Sequence, residues 1–230
     1  MRTLGLLGGM SWESTIPYYR LINERVRERL GGLHSAKLLL HSVDFAEIEA
    51  WMRAGDWDAA SARLGQAAAG LRSAGAEAIV VCTNTMHLIA SQIEAAAGIP
   101  LLHIADAAAQ GIRAAGLDRV ALLGTRFTME KPFYRERLAA AGIAVDVPDA
   151  ARRERIDRII FEELCRGRIL DSSRAVYRDI IEGLVAQGAQ GVVLGCTEIG
   201  LLLGEGDADV PLFDTARIHA EAAADWALAG

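Results

Sequence analysis

Gly75-Ala76-Glu77-Ala78-Ile79-Val80-Val81-Cys82-Thr83-Asn84-Thr85 recurs later in the chain in a similar form, and this repeat indicates how the chain folds. The second copy is Gly188-Ala189-Gln190-Gly191-Val192-Val193-Leu194-Gly195-Cys196-Thr197-Glu198, which begins 113 residues later. Each copy is a short apolar run, typical of a buried strand, that ends in small polar residues. A second pair, Leu4–Gly8 and Val120–Gly124, recurs at an offset of 116 residues. Two pairs at nearly one offset indicate a duplicated half.

The alignment of the two copies places Cys196 opposite Thr83 and not opposite Cys82. Side chains alternate between the two faces of a strand, so Cys82 and Thr83 should point in opposite directions. We therefore predict that Cys82 belongs to the core, while Thr83 and Cys196 occupy equivalent positions in the two halves. Cys165 is expected to be structural or exposed.

Strands alternate with helices along the whole chain, which predicts an α/β protein with parallel sheets covered on both faces. We expect two pseudo-twofold-related, Rossmann-like domains, each with a central parallel sheet, made of residues 1–103 plus 214–230 and residues 104–213. Ligands of such sheets bind at the C-terminal ends of the strands. The active site is therefore expected in a cleft between the domains. Four polar loops fall at predicted strand ends: Met10-Ser11, Thr83–Thr85, Thr125–Thr128 and Cys196–Glu198.

Composition and charge limit the classes of function. The 230 residues are 52% hydrophobic and 23% charged, as in an ordinary globular protein, and carry a formal net charge of −6. That charge argues against a nucleic-acid or anionic-membrane partner, because both select for clustered Lys and Arg. No apolar run reaches the length of a signal peptide core or a membrane helix, so a cytoplasmic protein is expected. The three cysteines suggest neither a disulfide framework nor a metal site.

The Gly-rich opening does not predict a dinucleotide site, because Gly5-Leu6-Leu7-Gly8-Gly9 lacks the Gly-x-Gly-x-x-Gly order. The polar loops offer hydroxyls, an amide and backbone N–H groups. Such groups suit a carboxylate or a small zwitterion as well as a phosphate.

Cys196 and His87 each admit two interpretations. Cys196 lies where a strand should end and a helix begin, so the helix N-terminus could stabilise its thiolate as a base or nucleophile. The alternative is a buried cysteine that acts as a small apolar group, but the small polar neighbours and the equivalent stretch Thr83-Asn84-Thr85 favour the functional interpretation. His87, four residues beyond Thr83, could act on that side of a cleft, cap a helix or fill the core.

Four motifs resemble, in order, those of the aspartate/glutamate racemase superfamily, and the resemblance covers nearly the full chain. They are Leu7–Thr15, Cys82–His87, Gly124–Met129 and Gly195–Glu198. When Phe161–Cys165 and Phe213–Thr215 are included, the sequence is most similar to the branch of broad-specificity or L-aspartate/glutamate racemases. The resemblance implies two similar α/β domains, no pyridoxal phosphate, no metal and a homodimer.

The resemblance also implies roles for individual residues. Most such enzymes place two cysteines on either side of the substrate Cα, and these positions correspond here to Thr83 and Cys196. A threonine hydroxyl cannot be a base near neutral pH, so the implied reaction runs from L to D. Cys196 takes the proton, and the Thr83 side returns one, with His87 as a candidate relay. The implied substrate-binding residues are Met10, Ser11, Met52, Asn84, Thr85, Thr125, Thr128, Thr197 and Glu198.

Three functions remain open from the sequence. The first is a cofactor-independent racemase of broad range or with a preference for aspartate and glutamate; the apolar Met52, where a polar contact is expected, shifts the preference away from strictly acidic side chains. The second is a single-cysteine decarboxylase or cis–trans isomerase of the same superfamily. The third is a non-catalytic amino-acid sensor.

Overall fold

The computed structural model describes residues 1–230 and contains eight strands, eleven α-helices and two 3₁₀ helices. The strands are β1 (Leu4–Gly8), β2 (Leu38–Ser42), β3 (Ala78–Val81), β4 (Leu101–Leu102), β5 (Arg119–Gly124), β6 (Ala144–Asp146), β7 (Val192–Gly195) and β8 (Leu212–Asp214). The α-helices are α1 (Trp12–Leu30), α2 (Phe45–Ala54), α3 (Trp57–Ser73), α4 (Ala90–Ala97), α5 (Ile104–Ala114), α6 (Arg126–Glu130), α7 (Pro132–Ala140), α8 (Ala150–Glu162), α9 (Asp171–Ala186), α10 (Ile199–Leu202) and α11 (Thr215–Leu228). The 3₁₀ helices cover Thr85–Ile89 and Leu164–Arg166.

The strands form two sheets with the same internal order. One sheet runs β2-β1-β3-β4 and the other β6-β5-β7-β8, and every pairing is parallel. The two copies of the sequence repeat, β3 and β7, hold the same place in their sheets. The predicted α/β class with two parallel sheets is confirmed, and the duplicated half appears as a repeated strand order.

The chain divides into two compact units, Met1–His103 with His219–Gly230, and Ile104–Ile218. We call them unit 1 and unit 2. The sequence-based boundary at 214 and the structural boundary at His219 both fall around α11.

Unit 1 is organised by buried strands and by one helix with a clear apolar face. Every residue of β1 and β3 is buried. Helix α1 buries Tyr18, Ile22 and Val26, which are spaced four residues apart and therefore share one face. Its N-terminus is capped by Ser11, whose hydroxyl accepts a hydrogen bond from the backbone N–H of Ser14.

Unit 2 has a sheet with an apolar cluster on each face, and the alternation of side chains along the strands sorts residues between them. Ala121 and Leu123 of β5 join the cluster made with α8 and α9. Val120 and Leu122 join the cluster made with α5 and α7. A strand that is buried on both faces has a continuous apolar run in its sequence, as β5 does.

The sequence pattern predicts helices at about Thr85–Ala96, Lys131–Ala141 and Thr215–Leu228 and a strand at Pro100–Ile104, and several of these bounds differ from the observed ones. The helix expected from Thr85 to Ala96 begins as a 3₁₀ helix and becomes α4 at Ala90. The strand expected over Pro100–Ile104 is only β4, because Ile104 already starts α5. Helix α11 has the predicted bounds, whereas no bounds are predicted for the short helices α6 and α10.

Candidate active site

The turn after β3 separates Cys82 from Thr83. The backbone N–H of Cys82 still donates to the carbonyl of Leu7 at 2.9 Å, so Cys82 continues the ladder of the sheet. Its side chain is completely buried, and this burial raises the pKa of the thiol far above its ordinary value. Thr83 comes next and is 9% exposed. The structure thus places Cys82 in the core, as the strand alternation predicts.

His87 lies beneath this turn. Its Nδ1 is 2.8 Å from the carbonyl oxygen of Thr83. Burial is the main cause that lowers the pKa of His87 well below the ordinary value, and the neighbouring His103 and His219 lower it further. The imidazole is therefore neutral at physiological pH.

The turn after β1 is tied to the start of α1. The backbone N–H of Gly9 donates to the Thr15 hydroxyl at 2.9 Å, and that hydroxyl donates to the carbonyl of Ser11 at 2.8 Å. A β-carbon at Gly8 would lie 2.5 Å from Thr15 Cγ2, so the close packing of this turn requires glycine. Met10 and Ser11, both expected to contact substrate, are buried here.

Cys196 follows β7 in unit 2, and its thiol is hydrogen-bonded to a carboxylate. Sγ donates to Glu198 Oε2 at 3.0 Å, and the Thr197 hydroxyl donates to the same oxygen at 2.9 Å. Cys196 is only 7% exposed, and Glu198 is buried. Burial first, and then the charge of Glu198, raise the pKa of Cys196 well above the ordinary value for a thiol.

This environment differs from the sequence-based expectation for Cys196. The sequence predicts a helix N-terminus that favours the thiolate, but the helix that follows, α10, begins at Ile199 and has four residues. A short helix carries little dipole, and the nearby carboxylate acts in the opposite direction. The structure therefore holds Cys196 as a protonated thiol with an acceptor already in place.

The loop after β5 presents two hydroxyls. Thr125 caps α6 by accepting a hydrogen bond from the N–H of Thr128, and the two hydroxyl oxygens are 3.2 Å apart. Both side chains are buried. Gly124 pairs with Gly195 in the sheet, and a β-carbon on Gly124 would lie 2.6 Å from the Gly195 carbonyl oxygen. The two strand ends can approach this closely because neither residue has a side chain.

The predicted site residues group by unit. In unit 1, Met10-Ser11 and Thr83–Thr85 follow β1 and β3, which are adjacent in the sheet. In unit 2, Thr125–Thr128 and Cys196–Glu198 follow the adjacent strands β5 and β7. Met52 is the exception, because it is a buried residue of α2 and lies on no strand-end loop.

The sequence indicates a role for His87 but not for Tyr18, His103 and His219, which support the Thr83 turn together with it. The Tyr18 hydroxyl lies 2.9 Å from Nδ1 of His219, and the rings of His87 and His103 are 4.5 Å apart between centroids. These residues come from distant parts of the chain and carry no local motif. A histidine within an apolar stretch is the only signal that the sequence offers for them.

The donor set suits an anionic or zwitterionic organic ligand. Hydroxyls, an amide and one thiol dominate the four loops, and no group of three His, Cys, Asp or Glu side chains is arranged to hold a metal ion. No helix in the structure has both the length and the apolar character needed to cross a membrane.

Comparison with known proteins identifies the family. The family model described as Asp/Glu/hydantoin racemase matches residues 7–223. A crystal structure from Yersinia pestis, described as a candidate Asp/Glu racemase, is 60% identical, with a TM-score of 0.91 over 99% of this chain and 100% of that one. The structure of an aspartate racemase homologue from Pyrococcus horikoshii is 35% identical, with a TM-score of 0.84 and the same coverage.

A broad-specificity amino-acid racemase of Bacillus subtilis is 22% identical over 98% of both chains. The family model spans the four loops that carry the thiol, the hydroxyls and the amide. The chain therefore belongs to the Asp/Glu/hydantoin racemase family, and its enzymatic class is that of an amino-acid racemase.

Proposed function

We propose that this protein racemises amino acids from L to D without a cofactor, with Cys196 as the base and the Thr83 side as the proton donor. The observation that carries the proposal is the contact of the Cys196 thiol with Glu198, 3.0 Å from Sγ to Oε2. The correspondence of β3 and β7 in the two sheets supports the pairing of Cys196 with Thr83, since each residue follows the equivalent strand.

The first proposed step is proton removal from Cα. Cys196 is a thiol at rest, so its proton must leave before Sγ can accept another. Glu198 Oε2 is already the acceptor of that proton, which makes the transfer a shift along an existing hydrogen bond. The resulting thiolate takes the Cα proton of the L-amino acid, and the electron pair of the C–H bond moves into the carboxylate.

The second proposed step returns a proton to the opposite face. The electron pair re-forms a C–H bond with the proton of the Thr83 hydroxyl, which takes a replacement proton from water, and the product is the D-enantiomer. The proton held by Glu198 passes to water after product release, so the enzyme returns to its starting state. Hydroxyl, amide and backbone donors stabilise the developing charge on the substrate carboxylate, which is usually the largest catalytic contribution. We assign this binding role to Ser11, Asn84, Thr85, Thr125, Thr128 and Thr197.

The proposed substrates are either a broad range of amino acids or aspartate and glutamate. Met10 and Met52 are buried apolar residues, and neither can pair with a side-chain carboxylate. They favour the broad range. The family name and the description of the Yersinia relative keep aspartate and glutamate as the alternative.

Deuterium exchange tests the proposal directly. Individual L- and D-amino acids are incubated with enzyme in D₂O, and incorporation at Cα is followed by NMR or mass spectrometry. We expect rapid initial exchange from the L-enantiomer and slow or no exchange from the D-enantiomer, because only Cys196 can serve as a base. Equal initial rates from both enantiomers would contradict the assignment.

Two cysteine variants complete this experiment. Cys196→Ser removes the base with little change in volume and should abolish exchange while the fold persists. Cys82→Ala should be nearly silent in exchange and cost only the stability of a small buried side chain, about 1–2 kcal/mol. A folded Cys82→Ala protein without activity would show that the chemistry had been assigned to the wrong cysteine.

A second candidate function is a single-thiol decarboxylase or cis–trans isomerase of the same superfamily. This function is favoured because the strand-end loops carry a single cysteine, Cys196, whereas Cys82 lies in the core. Release of CO₂ from substituted malonates, without loss of chirality from any amino acid, would support it. Calorimetric binding of an amino acid without any turnover would instead support a sensor.

We further propose that the protein is a homodimer that buries the outer face of α1. Trp12, Ile16 and Tyr19 are 61%, 58% and 60% exposed and are spaced so that they form one apolar stripe. A stripe with two aromatic residues is unusual on a free surface and typical of an interface core. Ile16→Glu should yield a monomer by light scattering, whereas Arg20→Glu, on the exposed charged part of the same helix, should not.

A further inference from the structure

Four buried side chains of unit 1 form a continuous polar chain under the Thr83 turn. They are Tyr18 of α1, His219 of α11, His103 after β4 and His87 of the first 3₁₀ helix. The ring centroids of His219 and His87 are 5.7 Å apart, and those of His87 and His103 are 4.5 Å apart. We call this set the histidine chain. Buried polar groups of this kind are costly unless their hydrogen bonds are satisfied, and the bonds therefore define their protonation.

The contacts of His219 determine its tautomer. Its Nε2 is 2.7 Å from the carbonyl oxygen of Leu102. A carbonyl can only accept, so Nε2 carries the hydrogen. Nδ1 of the neutral ring is then an acceptor, and the Tyr18 hydroxyl donates to it at 2.9 Å. His219 is thereby fixed as a neutral ring with both nitrogens engaged.

The contacts of His87 also direct its ring at the backbone, because the Leu102 carbonyl interacts with the ring as well as the carbonyl of Thr83. Its Nδ1 is 2.8 Å from the Thr83 carbonyl oxygen, so Nδ1 carries the hydrogen and donates it to the backbone. The N–H group of this ring is therefore directed at the peptide of Thr83 and not at its hydroxyl. A relay that reprotonates the Thr83 hydroxyl would need an N–H group aimed at that oxygen.

We propose that His87 is a positioning residue for the Thr83 turn: its Nδ1–H bond to the Thr83 carbonyl, supported from below by His103 and His219, fixes where the Thr83 and Asn84 side chains lie. It is not a proton relay. The inference rests on the proposed function in one respect only, namely that Thr83 stands on the donor side of the substrate.

The local backbone explains why such support is needed. Strand β3 ends at Val81, and the 3₁₀ helix starts at Thr85, so residues 82–84 turn between two regular elements. The 3₁₀ helix begins with the N–H of His87 donating to the carbonyl of Asn84 at 3.1 Å. The side chain of His87 binds the carbonyl of Thr83, one residue before Asn84. One residue thus fixes two successive peptides of the turn.

Variants of His87 with an amide side chain distinguish a role in positioning the turn from a role in relaying a proton. His87→Asn places an amide N–H close to where Nδ1 stands, and no amide can relay a proton. His87→Gln carries the same group on a longer side chain that reaches past the Thr83 carbonyl. Exposed His34, changed to Asn, is the control for loss of a histidine as such.

We expect asparagine at position 87 to preserve activity and glutamine to reduce it. The Asn variant should retain kcat within about threefold of wild type, whereas the Gln variant should lose about 100-fold in kcat, the size expected for misplacement by about 1 Å. KM should change less than kcat, because Ser11, Thr125, Thr128 and Thr197, which are assigned to the substrate carboxylate, lie outside this turn. Equal loss of kcat in folded Asn and Gln variants would overturn the proposal, since a relay cannot tolerate either amide.

A second measurement needs no variant and no substrate. ¹⁵N NMR of histidine-labelled wild-type enzyme should show His87 with hydrogen on Nδ1, unchanged between about pH 6 and 8. An Nδ1 without hydrogen in that range would refute the assignment. If no amino acid is racemised but this signature is present, the proposed function fails while the hydrogen bond to Thr83 stands, so the two ideas are tested separately.

Discussion

Glu198 controls the acidity of the Cys196 thiol. A buried thiol next to a carboxylate is a weak acid, and both burial and the charge of Glu198 raise its pKa. The same carboxylate is also the group to which the thiol proton can go. In the proposed mechanism, the pair is inactive at rest, and Cys196 becomes a base only when its proton has moved to Glu198.

Glu198→Gln tests this coupling, because it removes the charge and keeps the shape. We expect kcat to fall about 100-fold, as for loss of a proton-transfer group, while the pKa of the Cys196 thiol falls, because one cause of its elevation is gone. The pH dependence of alkylation at Cys196, measured in a Cys165→Ala background, reports the second effect. Unchanged kcat in the Gln variant would exclude Glu198 as the proton acceptor.

Thr83→Cys tests the pairing of the two halves. It places a thiol opposite Cys196 in the repeat, and a thiolate at that position can take a proton from the face that threonine cannot serve. The variant should gain Cα deuterium exchange from D-amino acids, with some loss of L-activity from imperfect placement. A folded variant without any D-exchange would remove the basis of the two-sided mechanism.

At the scale of elements, the ends of β5 and β7 depend on a contact between two glycines. A β-carbon on Gly195 would lie 2.7 Å from Leu122 Cδ1 and 3.0 Å from the Leu123 carbonyl. A β-carbon on Gly124 would meet the Gly195 backbone at 2.6 Å. Backbone cannot move away from such an overlap without shifting the loops that follow both strands.

Alanine substitutions should therefore have opposite signs at two glycines. Gly195→Ala is expected to lower the free energy of unfolding by about 1–3 kcal/mol through overpacking and to reduce activity. Gly183→Ala lies inside α9, where an added β-carbon would meet nothing within 4 Å. It should raise the free energy of unfolding by about 0.5–1 kcal/mol, because alanine is the better helix former. Urea denaturation of both variants measures the difference.

Elements are predictable from the sequence wherever burial imposes a pattern. The apolar runs of β3, β5 and β7 are recognisable because both faces of each strand are covered. The 3₁₀ helix at Thr85–Ile89 is not, since its side-chain spacing resembles the first turn of an α-helix. The expected helix at Lys131–Ala141 begins instead at Pro132, whose ring restricts the preceding residue and separates α7 from α6.

The site is predictable in part for the same kind of reason. Cys82 and Thr83 can be sorted because strand side chains alternate. That Glu198 opposes the Cys196 thiolate does not follow from the sequence, because the orientation of a carboxylate is not encoded in spacing. Tyr18, His103 and His219 come together only in the folded unit, and no local sequence pattern predicts that they do.

At the scale of the molecule, the histidine chain couples stability to pH. Burial lowers the pKa of His219 to about 4 from 6.5, so between these values the unfolded chain binds a proton that the folded protein does not. Stability is therefore fully present above about pH 6.5 and falls as the pH decreases toward 4. The pKa of His87 shifts in the same direction.

We expect the free energy of unfolding to fall by about 3 kcal/mol across this window from His219 alone. Urea denaturation at several pH values between about 7.5 and 4 measures the slope. His219→Gln, which keeps an amide donor for the Leu102 carbonyl but cannot titrate, should flatten it. His34→Gln, at an exposed position, should leave the slope unchanged, and an unchanged slope in His219→Gln would exclude His219 as its source.

The glycine pair at the ends of β5 and β7 also sets limits on how this enzyme can be re-engineered. A library that randomises Gly124 or Gly195 would lose stability in most of its members, because a β-carbon on Gly124 lies 2.6 Å from the Gly195 carbonyl oxygen and one on Gly195 lies 2.7 Å from Leu122 Cδ1. Diversity is better introduced at side chains of the loops that follow these strands, such as Thr125 and Thr128, which lie outside β5 and β7. The two strand ends then remain unchanged.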